Sequence, residues 1–139
     1  MTFDPIALLA EADLGAQNAY CPYSRFQVGA ALLAADGTVF RGCNVENVSY
    51  GLAICAERSA ICAAVVAGSR DLRAIAIVQG VTPDHPAHRE PCWPCGACRQ
   101  VLAEFNPELL VVLRDLDGPR VLPLRDLLPH SFDVHRLQA

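Results

Sequence analysis

The sequence predicts a three-layer α/β sandwich, in which a mixed five-stranded sheet carries helices on both faces. Segments with helical periodicity alternate with short apolar segments rich in β-branched residues, as is typical of strands covered by helices. The 139 residues show no internal repeat, linker or low-complexity stretch. A chain of this length buries about two thirds of its unfolded surface, which is enough for one core. We therefore expect a single domain over residues 1–139.

The first half of the chain is predicted to form a helix, a hairpin and a second helix. Residues 4–20 carry apolar side chains near helical spacing. Strands over residues 26–33 and 38–43 flank Asp36-Gly37, a pair typical of tight hairpin turns. The second helix spans about residues 54–67 and is almost wholly apolar toward its C-terminus, so we expect it to be buried on most sides.

The second half is predicted to alternate strands with helices. Residues 72–79 form a nearly continuous apolar run, which indicates a central strand covered on both faces. A long loop leads from this strand to a third helix, which begins near Gly96 and stops at Asn106-Pro107. The remaining predicted elements are a strand at residues 109–113, a turn at Asp117-Gly118, a strand at 121–122, a helix at 123–128 and a polar tail.

Composition argues against several classes of protein. The net charge is −4, and the eleven basic residues, all arginine, are too scattered to indicate a nucleic-acid partner. The longest apolar run, residues 60–67, is far too short to span a membrane, and no positively charged segment typical of a signal peptide is present. We expect a soluble cytoplasmic protein. Apolar residues make up 53% of the chain, an excess that favours contacts between subunits.

Two short cysteine segments, about forty residues apart, offer three thiolates for one metal ion. Cys55 opens the second predicted helix, and Cys95 and Cys98 stand three residues apart at the start of the third. Backbone N–H groups and the helix dipole favour thiolates there, and zinc accepts sulfur ligands in tetrahedral geometry. Three thiolates leave a net charge of about −1 on a divalent ion. We expect Arg58 and Arg99 to offset that charge by hydrogen bonds to the sulfurs.

Glu57 follows Cys55 by two residues on the same predicted helix. Successive helical residues turn by about 100°, so these two side chains should not both bind one metal. A carboxylate beside a metal-activated water can act as a general acid and base. Alone, Cys55 would be a packing residue and Glu57 a helix-start charge; together with the second cysteine segment they predict a catalytic zinc site. Gly96 is expected to allow close approach at that site.

The residues alone leave the metal pairing open. A Pro-Cys-Trp-Pro-Cys segment ends at Cys95, so Cys92 with Cys95, or all four cysteines, could hold the metal. We favour Cys95 with Cys98, because an amphipathic helix follows Cys98 whereas a proline obstructs a helix after Cys92. His85 and His88 form an H-x2-H pair, which we expect to be solvent-exposed loop histidines rather than ligands.

Zinc deaminases combine a first segment ending in glutamate with P-C-x-x-C, and three cysteines can serve as their ligands. With Cys55-Ala56-Glu57 as its first segment, the sequence resembles the cytidine deaminase family, in the short form that is usually a homotetramer. The resemblance covers most of the chain in the family order. The matching stretches are residues 20–26, 28–31, 42–47, 49–51, 54–58, 94–100 and 127–132.

The resemblance implies a role for each matching residue. Cys55, Cys95 and Cys98 would hold one zinc ion per subunit, and Glu57 would move protons. The remaining implied assignments concern the nucleoside: Phe26 packs against the pyrimidine, Asn44 and Glu46 hold the ribose hydroxyls, the backbone of Ala56 and Cys95 addresses the polar edge of the ring, and Tyr50 and Phe132 reach the site of a neighbouring subunit.

The function implied by the resemblance is zinc-dependent hydrolytic deamination of cytidine and deoxycytidine, a reaction of pyrimidine salvage. The expected partner is a small nucleoside, with no nucleic acid and no membrane, in a homotetramer with shared sites. Three alternatives stay open. The chain could deaminate another small cytosine compound such as an aminonucleoside antibiotic. It could act on a polynucleotide, which the acidic balance disfavours. It could also be a non-catalytic protein in which four cysteines, including Cys92, bind the zinc and leave no position for water. Cys92 is the main departure from the family pattern.

Overall fold

A computed structural model describes residues 2–86 and 90–137 of the chain. The element order agrees with the sequence prediction of four helices and five strands, with two additional 3-10 turns. The elements are α1 (Pro5–Ala16), β1 (Val28–Ala34), β2 (Val39–Cys43), a 3-10 turn (Tyr50–Leu52), α2 (Ala56–Val66), β3 (Leu72–Gln79), α3 (Gly96–Phe105), β4 (Leu110–Asp115), β5 (Gly118–Pro123), α4 (Leu124–Leu127) and a second 3-10 turn (Val134–Arg136).

The five strands form one mixed sheet in the order β2-β1-β3-β4-β5. β3 and β4 are parallel, and all other neighbouring strands are antiparallel. The predicted central strand is confirmed, because Ala76 in β3 lies opposite Ala31 in β1 and Val112 in β4. The predicted hairpin between β1 and β2 is also present, and Gly37 adopts the positive φ of +91° that its turn requires.

The sheet has a separate apolar core on each face. On one face, Leu8 and Ala12 of α1 pack with Ala76 and neighbouring strand residues. On the opposite face, α2, α3 and α4 share a larger core in which Ile61 and Leu102 contact the sheet. The prediction of a three-layer sandwich is therefore confirmed. The single domain over residues 1–139 stays a prediction.

Two sequence predictions about the helices are wrong. α1 ends at Ala16 rather than near Tyr20, because the Tyr20 backbone instead exchanges hydrogen bonds with residues 44 and 46. α2 is not buried on most sides: it lies on one face of the sheet, and its outer side leaves Cys62 and Val66 exposed. A helix packed on one sheet surface buries only the stripe that touches the sheet.

Gly42 in β2 determines how closely α2 approaches the sheet. A Cβ atom at this position would lie 2.3 Å from the carbonyl oxygen of Ala56 and 2.6 Å from the backbone nitrogen of Ala60. Only glycine accommodates that contact with the helix backbone. The first turn of α2 therefore sits directly against the sheet. No helix in the described parts of the chain is both long and apolar enough to cross a bilayer.

Candidate metal centre and substrate cleft

The N-termini of α2 and α3 bring three cysteine sulfurs together. Cys55 is the N-cap of α2, Cys95 is the N-cap of α3, and Cys98 lies in the first turn of α3. The three sulfurs all lie within 4.8 Å of one another, and those of Cys95 and Cys98 are 3.4 Å apart. Sulfurs bound tetrahedrally to one zinc ion at about 2.3 Å would be about 3.8 Å apart. The arrangement therefore fits a single zinc ion with little movement.

Cys92 is not a member of this group of sulfurs. The structure therefore supports the choice of Cys95 and Cys98 over a pairing that includes Cys92. His85 lies against an aromatic residue of the cleft, away from the sulfurs, and His88 lies outside the described residues.

The electrostatics of the three thiols favour a cation between them. Cys98 is fully buried, and burial followed by the charge of Glu57 raises the pKa of its thiol. Burial opposes ionisation of Cys95 as well, but hydrogen bonds from Cys98 and Cys55 lower its pKa overall. Three adjacent sulfurs beside a carboxylate cannot all ionise without a positive charge among them. The donor set therefore fits zinc.

The two arginines predicted to contact the sulfurs behave differently. Nη2 of Arg58 lies 3.8 Å from the sulfur of Cys55 and 3.3 Å from the carbonyl oxygen of Ala53, and the contact with Cys55 raises the pKa of the guanidinium. Arg99 instead donates to the carbonyl oxygens of Pro94 and Leu127, at 2.8 Å each. Arg99 therefore ties the chain before Cys95 to α4, and the expected contact with a sulfur is replaced by these two bonds.

Glu57 is buried, with only 4% of its surface exposed, although it carries a carboxylate. It lies in the first turn of α2 and lines the same cleft as Cys55 and Cys95. A buried acid is rare unless it is paired or functional. The position of Glu57 beside the sulfurs suits a group that exchanges protons with a molecule bound in the cleft.

An open cleft of about 400 Å³ leads to the metal centre. This volume lies within the usual range for small-molecule sites. Its lining combines apolar side chains with a few polar groups, as expected for an aromatic ligand with polar edges. The lining residues are Phe26, Val28, Asn44, Glu46, Ala53, Ile54, Cys55, Ala56, Glu57, Ile77, Cys92, Trp93 and Cys95.

Asn44 and Glu46 line the cleft, and their side chains also form hydrogen bonds to backbone groups of residues 23–28. The amide oxygen of Asn44 accepts from the Val28 N–H, and its amide nitrogen donates to the Phe26 carbonyl, at 2.8 Å each. The carboxylate of Glu46 accepts from the backbone N–H groups of Tyr23 and Ser24 and from the Ser24 hydroxyl, and these bonds lower its pKa. Both side chains retain further hydrogen-bonding capacity for a ligand.

Tyr50 and Phe132 are highly exposed, with 75% and 61% of their surface accessible. Neither lines the metal cleft of its own chain. Tyr50 packs against Tyr23 beside the cleft mouth, with ring centroids 5.9 Å apart. The backbone N–H and carbonyl of Phe132 are both bonded to the side chain of Gln100. A role for either aromatic in a neighbouring subunit stays a prediction.

Sequence reasoning missed two parts of the cleft. Ile77 and Val28 reach it from the sheet, and no local signal separates them from other core residues. Trp93 forms part of the wall, with Arg120 of β5 against its ring at 5.1 Å. Its position two residues before Cys95 is the one signal in the sequence that could have indicated a cleft residue.

Comparisons with known proteins agree with this geometry. The family model described as "Cytidine and deoxycytidylate deaminase zinc-binding region" matches residues 4–114. The chain is 49% identical over 127 residues to a cytidine deaminase of Halalkalibacterium halodurans, covering 90% of this chain and 91% of that protein. It is 47% identical over 131 residues to a cytidine deaminase of Mycobacterium tuberculosis, covering 94% and 90%.

A solved structure shows the same fold. The crystal structure of cytidine deaminase from Burkholderia pseudomallei superposes with a TM-score of 0.81 at 48% identity, covering 95% of this chain and all of that chain. The match with the family model extends over most of the sequence and includes the three cysteines and Glu57. The chain belongs to the cytidine and deoxycytidylate deaminase family, and its cofactor is zinc.

Proposed function

We propose that this member of the family hydrolyses cytidine and deoxycytidine to uridine and deoxyuridine, with release of ammonia. One observation carries the proposal: the buried carboxylate of Glu57 lines the same cleft as the sulfurs of Cys55 and Cys95. A closed structural zinc site has no need of an acid beside it or of a cleft leading to it. The relatives that are named cytidine deaminases support the choice of substrate.

In the proposed mechanism, Cys55, Cys95 and Cys98 hold the metal, and Glu57 carries the protons. When bound, zinc supplies the Lewis acidity that makes a water molecule nucleophilic near neutral pH. The Glu57 carboxylate accepts a proton from the attacking water and delivers it to N3 of the cytosine, which makes C4 more electrophilic. The water oxygen adds to C4, and Glu57 then carries the remaining proton of the new hydroxyl group to the amino group as the C4–N4 bond breaks. The products are ammonia and the uracil nucleoside.

The remaining assignments orient the nucleoside. Phe26 offers an aromatic surface in the cleft against which the pyrimidine ring can pack. The backbone groups of Ala56 and Cys95 can contact the polar edge of the ring, since both residues also line the cleft. Asn44 and Glu46 offer an amide and a carboxylate for the ribose 3′-hydroxyl. These roles form part of the proposal.

The proposal includes a homotetramer with shared sites and a cytoplasmic location. Exposed apolar side chains in the segment after β2, together with Phe132, support contacts with other copies of the chain. In this arrangement Tyr50 and Phe132 would complete the cleft of a neighbouring subunit. Free cysteines are typical of a reducing compartment. The exposed residues concerned are Val48, Tyr50, Leu52, Ile54 and Phe132.

The test is an ultraviolet assay of zinc-loaded protein with cytidine and with deoxycytidine, with ammonia measured in parallel. Turnover of both nucleosides with stoichiometric ammonia is expected. Cytidine monophosphate, single-stranded DNA and a cytosine-containing aminonucleoside serve as comparison substrates. Turnover of the aminonucleoside alone would favour an antibiotic deaminase. A fully zinc-loaded protein that releases no ammonia from either nucleoside would contradict the proposal.

A further inference from the structure

A short hydrogen-bonded turn follows β3 and lies beside the cleft. Its ends are closed by two backbone hydrogen bonds, from the Thr82 N–H to the His85 carbonyl at 2.9 Å and from the His85 N–H to the Thr82 carbonyl at 3.1 Å. The hydroxyl of Thr82 also accepts from the His85 N–H. Pro83 inside the turn and Pro86 after it restrict the backbone further. The turn therefore presents the His85 ring from a fixed backbone.

The His85 ring makes two contacts with the segment that carries Phe26. The His85 and Phe26 rings meet in a T-shaped arrangement, with a centroid distance of 5.1 Å and an interplanar angle of 79°, which is favourable for two aromatic rings. Its Nε2 lies 3.2 Å from the carbonyl oxygen of Ser24. Because a carbonyl can only accept, Nε2 must carry the proton in this contact. The neutral Nε2–H tautomer and the imidazolium can both make this bond.

Ser24 connects the His85 contact to the rest of the loop. Its N–H and hydroxyl both donate to the Glu46 carboxylate, and its hydroxyl oxygen accepts from the Phe26 N–H at 3.0 Å. His85 therefore binds the carbonyl group of Ser24, while the N–H and hydroxyl groups of Ser24 bind Glu46 and Phe26. Those two residues are the proposed contacts for the ribose and the pyrimidine.

The loop that His85 holds is not in a relaxed conformation. Arg25, between Ser24 and Phe26, has a φ of +58°, a left-handed conformation that is unfavourable for a residue with a side chain. Arg25 also reaches Asp84 of the turn, but at 3.7 Å and with both groups largely exposed, so this ion pair contributes little. The contacts of His85 are therefore the stronger restraint from the turn on this strained segment.

We propose that His85 is a positioning residue for the nucleoside: it fixes the Phe26 ring by edge contact and fixes Ser24, and through it Glu46, by hydrogen bonding. This inference rests on the proposed function, because it assigns Phe26 and Glu46 to the substrate. His85 does not line the metal cleft and forms no hydrogen bond to the sulfurs or to Glu57 among the described residues, so it acts on binding of the nucleoside rather than on the proton transfers.

The experiment compares three variants of the zinc-loaded protein in steady-state assays with cytidine. For His85→Ala we expect KM to rise by about three- to tenfold, the effect of losing one ordinary hydrogen bond, with kcat within about twofold of the parent. His85→Gln can still donate to the Ser24 carbonyl, so we expect it to recover part of the loss. Asp84→Asn lies in the same turn and is the matched control, with both constants within about twofold of the parent.

A binding measurement separates this inference from the proposed activity. Trp93 is the single tryptophan of the chain and lines the cleft, so its fluorescence reports occupancy without turnover. Titration with uridine, the proposed product, should give a weaker Kd for His85→Ala, with His85→Gln intermediate and Asp84→Asn unchanged. An inactive parent protein would contradict the proposed function. An active parent whose His85→Ala variant keeps its KM and Kd, or loses kcat instead, would overturn the role of His85.

Discussion

The two walls of the cleft are built in opposite ways. The metal wall is formed by Cys55, Glu57 and Cys95, together with the buried Cys98 of the sulfur group. These residues lie at the N-termini of α2 and α3, two helices that share the core on one face of the sheet. The loop wall, formed by Phe26, Asn44, Glu46 and Trp93, belongs to irregular segments between the regular elements.

The loop wall is held together by hydrogen bonds rather than by a packed core. Asn44 bonds to the backbone of residues 26 and 28, and Glu46 to that of residues 23 and 24. Such bonds fix a loop without the support of regular secondary structure. Substitutions in the metal wall should therefore change zinc binding, folding and kcat, whereas those in the loop wall should change KM. The predictions below test this division from the largest expected effect to the smallest.

The largest effect is expected from removing the most buried sulfur. Cys98→Ala should lose zinc and all turnover, and it should lower the free energy of unfolding, because metal binding contributes directly to folding. Metal analysis and thermal unfolding measure these changes. Cys92→Ser is the matched control: it lies in the cleft but outside the sulfur group, and it should keep one zinc per chain. A metal-free Cys92→Ser protein would show that the ligand set is different.

Glu57→Gln should keep zinc and the fold but lower kcat by about 10²- to 10⁴-fold, the usual contribution of a general acid and base. Glutamine preserves the shape of the side chain but cannot accept the proton. Metal analysis and steady-state kinetics with cytidine measure the two properties separately. Near-normal kcat in this variant would remove Glu57 from the chemistry.

Arg58→Ala should lower zinc affinity by about 10- to 100-fold, as is typical when a group that supports a metal ligand is removed. The guanidinium lies within reach of the Cys55 sulfur and offsets the excess negative charge of three thiolates. Competition with a chromophoric chelator measures the affinity. Arg73→Ala is the control, because its exposed ion pair with Asp71 lies outside the site. Equal zinc affinities of the two variants would contradict the role given to Arg58.

Zinc affinity should rise with pH. In the metal-free protein the pKa of Cys98 is raised, so its thiol keeps a proton at neutral pH that zinc must displace. Protons therefore compete with the metal, and the apparent affinity should increase by at least about tenfold for each unit of pH. Chelator competition between about pH 6 and pH 8 gives the slope. A pH-independent affinity would mean that no ligand is protonated before zinc binds.

The smallest effect on the chemistry, although a clear one on stability, is expected at the contact beneath α2. Gly42→Ala would place a Cβ 2.3 Å from the Ala56 carbonyl oxygen, so we expect a loss of about 1–3 kcal/mol in the free energy of unfolding. Gly51→Ala is the control, since no described atom outside its neighbours lies within 4 Å of the added Cβ. Thermal unfolding compares the two. Equal stabilities would mean that α2 can shift outward without cost.

The metal wall was largely predictable from the sequence because its signals are local. The metal donors are indicated by two cysteines three residues apart at a helix start and by a third cysteine at the start of another helix. The glutamate two residues after that third cysteine indicates the proton carrier beside the metal. The structure brings those sulfurs together as expected. The role of Arg99 was not predictable, because its bonds go to Pro94 and to Leu127, which lies 28 residues further along the chain.

The sequence by itself determined the element order, the central strand, the three clustered cysteines and the family of the chain, because helix starts, apolar periodicity and ligand spacing are properties of a few neighbouring residues. Only the tertiary structure decided which glycines are sterically necessary. Gly96, expected to allow close approach, has no described neighbour within 4 Å of its added Cβ, whereas Gly42 lies against the backbone of α2. The tertiary structure also brought His85 against Phe26. Such contacts join segments that are far apart in the chain, so a pattern of neighbouring residues cannot predict them.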